Sequence, residues 1–155
     1  MEFNPKEKLS DHFTLGECCK SVYAIRNGII NEPNELEYYS LKRVCLEILD
    51  PVRKEFNRPF TPNSGFRCAL LNSALGSSSA SQHTKGQAVD FEIPGLDNLE
   101  VATWVKSNLI FDQLILENYD GVDPNSGWIH VSFVNARDNR KESLTFSEGN
   151  YRVWS

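Results

Sequence analysis

At 155 residues the chain is long enough for one domain with a sizeable core, burying roughly 68–70% of its unfolded surface. Its composition, 40% hydrophobic and 24% charged, is that of an ordinary globular protein. Sixteen basic against 21 acidic residues leave a net charge of −5, which argues against a nucleic-acid partner because neutralising phosphates calls for a basic surface.

No apolar run approaches the roughly 20 residues that span a bilayer, so no membrane association is expected. The opening Met1-Glu2-Phe3-Asn4-Pro5-Lys6-Glu7-Lys8 lacks the apolar stretch of a secretion signal. Synthesis in a cytoplasm is therefore expected, with action elsewhere depending on release by another agent. The four cysteines, Cys18, Cys19, Cys45 and Cys68, contain no C-x-x-C pair. Buried free thiols are expected, with Cys45 and Cys68 in apolar helical patterns.

Residues 1–33 read as irregular apart from a short helix at about 15–25, capped from Ser10-Asp11-His12-Phe13-Thr14. A long helix is predicted over 35–56 with Asn34 as N-cap. Its apolar positions Leu41, Cys45, Ile48, Val52 and Phe56 recur at steps of three and four. Pro51 inside that pattern predicts a kink near Asp50. Arg58-Pro59-Phe60-Thr61-Pro62-Asn63 breaks the helix, and a shorter one is predicted over 68–75, closed by Gly76. Residues 87–93 alternate and read as a strand. Asp97 and Glu100 form a capping-box-like pair opening a helix to about 107. Residues 111–117, 128–133, 143–146 and 151–154 read as strands, the last two joined by a turn at Glu148-Gly149-Asn150. Helices come first and strands later, so the predicted class is α+β: N-terminal helices packed on a mainly antiparallel sheet. No repeat or linker divides the chain, and 1–155 is read as a single domain.

The chemistry concentrates in Ser81-Gln82-His83-Thr84-Lys85-Gly86-Gln87-Ala88-Val89-Asp90 and in Gly127-Trp128-Ile129-His130-Val131-Ser132-Phe133, which hold two of the three histidines. Strand alternation turns Val89, Phe91 and Ile93 towards a core and leaves Asp90 on the opposite face with Ala88 and Glu92. It does the same with Ile129, Val131 and Phe133 against Trp128, His130 and Ser132. One carboxylate and two imidazoles form a set that holds catalytic Zn²⁺ with one position open. On spacing alone, a lone strand histidine is more often a surface or hydrogen-bonded residue than a ligand, and an aspartate at a strand end is often a turn former. A Ser-His-Asp triad is disfavoured, because no G-x-S-x-G elbow is present.

Ser64-Gly65-Phe66-Arg67, Asn72, the Ser81-to-Asp90 run and Trp128-Ile129-His130-Val131 together resemble the zinc peptidases that act on bacterial cell-wall stem peptides. That family includes D-alanyl-D-alanine carboxypeptidases, D-Ala-D-Ala dipeptidases and phage L-alanyl-D-glutamate endopeptidases. The likeness covers about residues 10–135. His12-Phe13-Thr14-Leu15-Gly16-Glu17 and Asp50-Pro51-Val52-Arg53 are similar to the phage-type branch.

The resemblance implies a Hedgehog/D-Ala-D-Ala peptidase-like fold. It implies Zn²⁺ as cofactor, with His83, Asp90 and His130 as metal ligands, and Arg67 donating to the scissile carbonyl or a substrate carboxylate. Ser81, Gln82 and Trp128 are expected to line the substrate site, the first two orienting the ligand loop. Many relatives place an acid three residues before the last histidine, as [ED]-x-x-H. Here that position is Gly127.

Glu117 is the substitute that alternation offers, sharing a strand face with Gln113 and Ile115. Hairpin pairing is expected to set it beside His130. Glu92, on the face of Asp90, is the rival. The expected partner is a bacterial cell-wall peptide met by a monomer, after release from the host cytoplasm or as part of a virion. A catalytically silent zinc-containing binding or structural virion module of the same fold is the alternative. Endopeptidase and carboxypeptidase specificities need the same zinc and arginine, so both stay open.

Overall fold

Capping chemistry starts the helices where the sequence places Thr, Ser and Asn, and long-range hydrogen bonds decide where they stop. The computed structural model describes residues 2–155. Thr14 and Glu17 exchange side-chain and backbone bonds in a capping box that opens α1, Leu15–Cys19. Lys20 then turns extended, and Ser21 caps α2, Val22–Arg26, through the Ala24 N–H. The helix expected at 15–25 is therefore two. The Cys18 carbonyl, which a continuous helix would bond within its own turns, instead accepts from the Phe66 N–H at 2.8 Å.

A second box, between Asn34 and Glu37, opens α3, Glu35–Val44. A wide π turn, Cys45–Leu49, joins it to α4, Asp50–Phe56. The irregularity expected at Asp50 thus lies one turn earlier. Pro51 has no N–H, and its ring would strike the carbonyl four residues back; the wide turn, closed by the Asp50 N–H on the Cys45 carbonyl, relieves that clash. Leu41, Val44, Cys45, Ile48, Leu49 and Val52 are fully buried along this rod. Asp50, also buried, accepts the Ser10 hydroxyl at 2.8 Å and ties down the N-terminal segment.

The next helix, α5, covers only Ala69–Ala74 because Cys68 is its N-cap, its sulfur accepting from the Leu71 N–H. Cys68 is accordingly half-buried, a correction to the buried helical thiol expected there. Cys18, Cys19 and Cys45 are buried and free. In α6, Asn98–Asn108, Asp97 caps the Leu99 N–H and also accepts the Tyr119 hydroxyl.

The strands are β1 (Ala88–Phe91), β2 (Gln113–Glu117), β3 (Trp128–Ser132), β4 (Glu142–Ser147) and β5 (Asn150–Val153). They form one sheet in the order β1-β3-β2-β4-β5. Three pairings are antiparallel; β4 runs parallel to β2 because the chain crosses from β3 to the far side of β2 before entering it. The β4–β5 hairpin turns through Glu148 and Gly149, both left-handed, with Ser147 paired to Asn150.

One face of the sheet carries Val89, Phe91, Leu114, Leu116, Ile129 and Val131 into the core shared with α3, α4 and α6. Each such side chain contributes about 1.5–3 kcal/mol by leaving water. The other face is free to carry polar groups. Among the described residues no helix is long and apolar enough to cross a membrane.

Candidate metal centre

Antiparallel register sets Asp90 of β1 directly opposite His130 of β3. Residues so paired have Cβ atoms about 4.5–5.5 Å apart, close enough for their side chains to meet. Asp90 Oδ1 lies 2.9 Å from His130 Nδ1. His83 comes from the short 3₁₀ turn Gln82–Lys85, whose start is capped by the Ser81 hydroxyl on the His83 N–H. Its Nε2 stands 3.4 Å from Asp90 Oδ2, and the two imidazoles meet edge to face with centroids 5.2 Å apart. One donor atom from each of His83, Asp90 and His130 lies within 4.8 Å of the other two.

The donor set fits a zinc ion. His83 Nδ1 donates to the Gly65 carbonyl at 2.7 Å, which fixes the ring with Nε2 turned towards a carboxylate oxygen of Asp90. A ring nitrogen and a carboxylate oxygen converging in this way are donor atoms of the kind a divalent cation takes. Two imidazoles and one carboxylate suit Zn²⁺, and the Gly65 carbonyl is the kind of outer partner that fixes a ligand's tautomer.

The Ser64-Gly65-Phe66-Arg67 segment explains its own composition. Ser64 bridges to Asp90 along the outer edge of β1. A Cβ on Gly65 would lie 2.1 Å from the Cys18 carbonyl oxygen, so only glycine lets this segment press against α1. Phe66 is buried, and Arg67 is fixed by Nε on the Ser64 hydroxyl at 3.0 Å. Arg67 Nη2 then sits 3.5 Å from Asp90 Oδ2. Asn72, also buried, donates to the Ser78 carbonyl and holds the serine loop at the cleft edge.

Burial alone would raise the Asp90 carboxyl, but hydrogen bonds and charge from His130 and His83 outweigh it and hold it well below the usual carboxylate range. Glu117 goes the other way. Burial pushes its carboxyl up and the charge of Asp90 adds to that, with His130, Trp128 and Arg67 offsetting only part.

The expected pairing of Glu117 with His130 is corrected: Ile115 lies opposite His130, and Glu117 lies opposite Trp128. Both Ile115 and Glu117 line the same cleft. Glu92 does not join it. Because β1 ends at Phe91, alternation no longer governs the next residue, and Glu92 accepts from Asn63 and Asn98.

Gly127 has φ +66°, and a Cβ there would lie 1.9 Å from the Glu117 carbonyl oxygen. An acidic side chain at this position is therefore incompatible with the local backbone. Gly127→Ala is expected to cost at least about 2 kcal/mol through backbone strain and collision, read as a lowered denaturant midpoint. An unchanged midpoint would mean the β2–β3 connection is looser than described.

The cleft has a volume of about 420 Å³ and includes Arg67, Ser81, Gln82 and Trp128 together with the three candidate ligands. A neighbouring cavity of about 500 Å³, lined in part by Lys20 and Asn63, shares Arg67 with it. Sequence reasoning missed Arg140, which reaches the cleft from the segment between β3 and β4, and Tyr151, which reaches it from β5. It also missed Asp112, which is 2% exposed and accepts from Gln82 Nε2 at 2.9 Å and from Arg140 Nη2 at 2.7 Å. Burial would raise the Asp112 carboxyl, yet Arg140 and Gln82 together hold it down at about 2.

Residues 11–132 match the family described as peptidase M15. The chain belongs to that family, whose members are zinc-dependent peptidases and include D-Ala-D-Ala carboxypeptidase-like enzymes. A search of curated proteins found no match. The matched segment contains His83, Asp90, His130, Arg67 and Glu117 and ends with β3. Strands β4 and β5 lie outside it.

Proposed function

We propose that this chain is a zinc-dependent peptidase hydrolysing amide bonds in bacterial cell-wall stem peptides, as an L,D-endopeptidase or a D,D-carboxypeptidase. The observation that carries the reading is the convergence of His83, Asp90 and His130 beside Arg67 and Glu117 in one cleft. When bound, the ion supplies a Lewis acid and lowers the pKa of a water molecule to about 7.

The chain's own residues do the rest. Glu117 accepts the proton of the attacking water at its carboxylate and returns it to the leaving amine. Burial and the charge of Asp90 raise its pKa, which makes the carboxylate a stronger base towards the water proton. Arg67, its guanidinium held by Ser64 and Asp90, donates to the carbonyl oxygen as negative charge develops there. Gln82, pinned to Asp112, and Trp128 shape the walls against which the peptide lies.

The test is digestion of purified muropeptides with zinc-loaded protein, with products read by mass spectrometry. Cleavage of one stem-peptide amide, lost with chelator and restored by zinc, is expected. Stoichiometric zinc uptake with no cleavage of any muropeptide would leave the silent binding module as the reading.

A further inference from the structure

Arg140 enters the cleft from the segment between β3 and β4, beyond the part of the chain that matches the family. Its side chain is held at one edge only. Nε lies 3.1 and 3.2 Å from the two Asp112 oxygens, and Nη2 lies 2.7 Å from Oδ2. The Arg140 backbone N–H also donates to Asp112 Oδ1 at 2.8 Å. The remaining nitrogen, Nη1, comes no nearer than 3.9 Å to the one other acid at hand, Glu142 Oε1, which already accepts from Gln113 Nε2 at 2.7 Å.

This is a guanidinium whose orientation is set by a buried carboxylate and whose outer N–H groups are left to donate. The side chain is 53% exposed and lines the same cleft as His83, Asp90 and His130. A fixed planar fork with free donors is the preferred partner for a carboxylate. Tyr151, its ring packed on Phe146 with centroids 4.5 Å apart, lines the same cleft. With Arg67 near the candidate ligands, the cleft carries two arginines, each anchored by its own carboxylate.

We propose that Arg140 is a specificity-determining residue that binds a second carboxylate of an anionic peptide, away from the amide that is cut. The inference rests on the peptidase reading above and deepens it: the preferred substrates are stem peptides with that carboxyl free, and their amidated forms bind poorly.

The test measures binding separately from turnover. A synthetic L-alanyl-D-glutamyl stem peptide is prepared with each carboxyl in turn free or amidated. Each form is titrated calorimetrically into zinc-loaded protein carrying Glu117→Gln, so that the peptide is not consumed. One amidation is expected to weaken binding about tenfold, the usual worth of a charge-assisted bond. Adding Arg140→Gln should erase that difference. Arg140→Lys should erase it too while keeping a cation on Asp112, and circular dichroism of this variant guards against misfolding.

Equal effects of every amidation in all three proteins would overturn the proposal, as would failure of the free peptide to bind. Hydrolysis by the wild-type protein is read apart. Carboxylate-dependent binding without cleavage would sink the peptidase reading and leave the role of Arg140 standing, whereas cleavage indifferent to amidation would do the reverse.

Discussion

Replacing Asp90 with alanine is expected to abolish stoichiometric zinc uptake and all hydrolysis, and to weaken the metal-free fold as well. The carboxylate faces His130 at 2.9 Å, His83 at 3.4 Å and Arg67 at 3.5 Å. Its removal takes away the carboxylate that a mostly buried guanidinium faces at 3.5 Å. Breaking a buried pair in this way costs about 3–5 kcal/mol. The pH dependence follows from the lowered carboxyl of Asp90 in the folded state. A carboxyl held below its unfolded value of about 3.9 contributes stability above that pH and loses it as pH falls through the folded value. The advantage of metal-free wild type over Asp90→Asn should therefore be complete at pH 7 and shrink below about pH 4. Denaturant midpoints at several pH values, with calorimetry for zinc, read both effects. Retained one-to-one zinc binding in Asp90→Ala would remove this residue from the ligand set.

Glu117→Gln should leave zinc stoichiometry intact and lower kcat by about 10²–10⁴-fold, the usual worth of a general base. The amide keeps the shape of the side chain but cannot take a proton. Since burial and the charge of Asp90 raise the Glu117 carboxyl above the ordinary 4.5, the acid limb of kcat/KM should lie above that value and vanish in the variant. Below the limb the carboxylate is protonated and the rate falls. A variant with undiminished kcat, or an acid limb unmoved by the substitution, would assign proton transfer to another group.

Period-two alternation carried much of the site into view before any coordinates. It put Asp90, His130 and Glu117 on faces opposite apolar neighbours, and those faces are one cleft. Local caps were equally readable: Asn34 and Asp97 open helices where their chemistry says they should.

What escaped depends on distant partners. Nothing near Lys20 announces that the Cys18 carbonyl will be taken by Phe66, so one helix was expected where two form. Glu92 kept the periodicity of β1 on paper, but the strand had already ended and two asparagines held its carboxylate. The register of β2 on β3 turns on the loop between them, where Gly127 presses on the Glu117 carbonyl; counting residues could not show that contact. Asp112 and Arg140 are 28 positions apart and become a pair only through the parallel return of β4 beside β2.

Two of the three donors stand across from each other on bonded strands, while the hydrophobic interior lies beneath the opposite side of the sheet. Their spacing is thus maintained by the scaffold and owes little to any ion, unlike a zinc finger, which collapses when stripped. Exchange can then proceed on a standing frame, without a round of refolding. Which divalent ion occupies the seat will follow metal availability and the match of two imidazoles and a carboxylate to the ion, not the history of the chain's assembly.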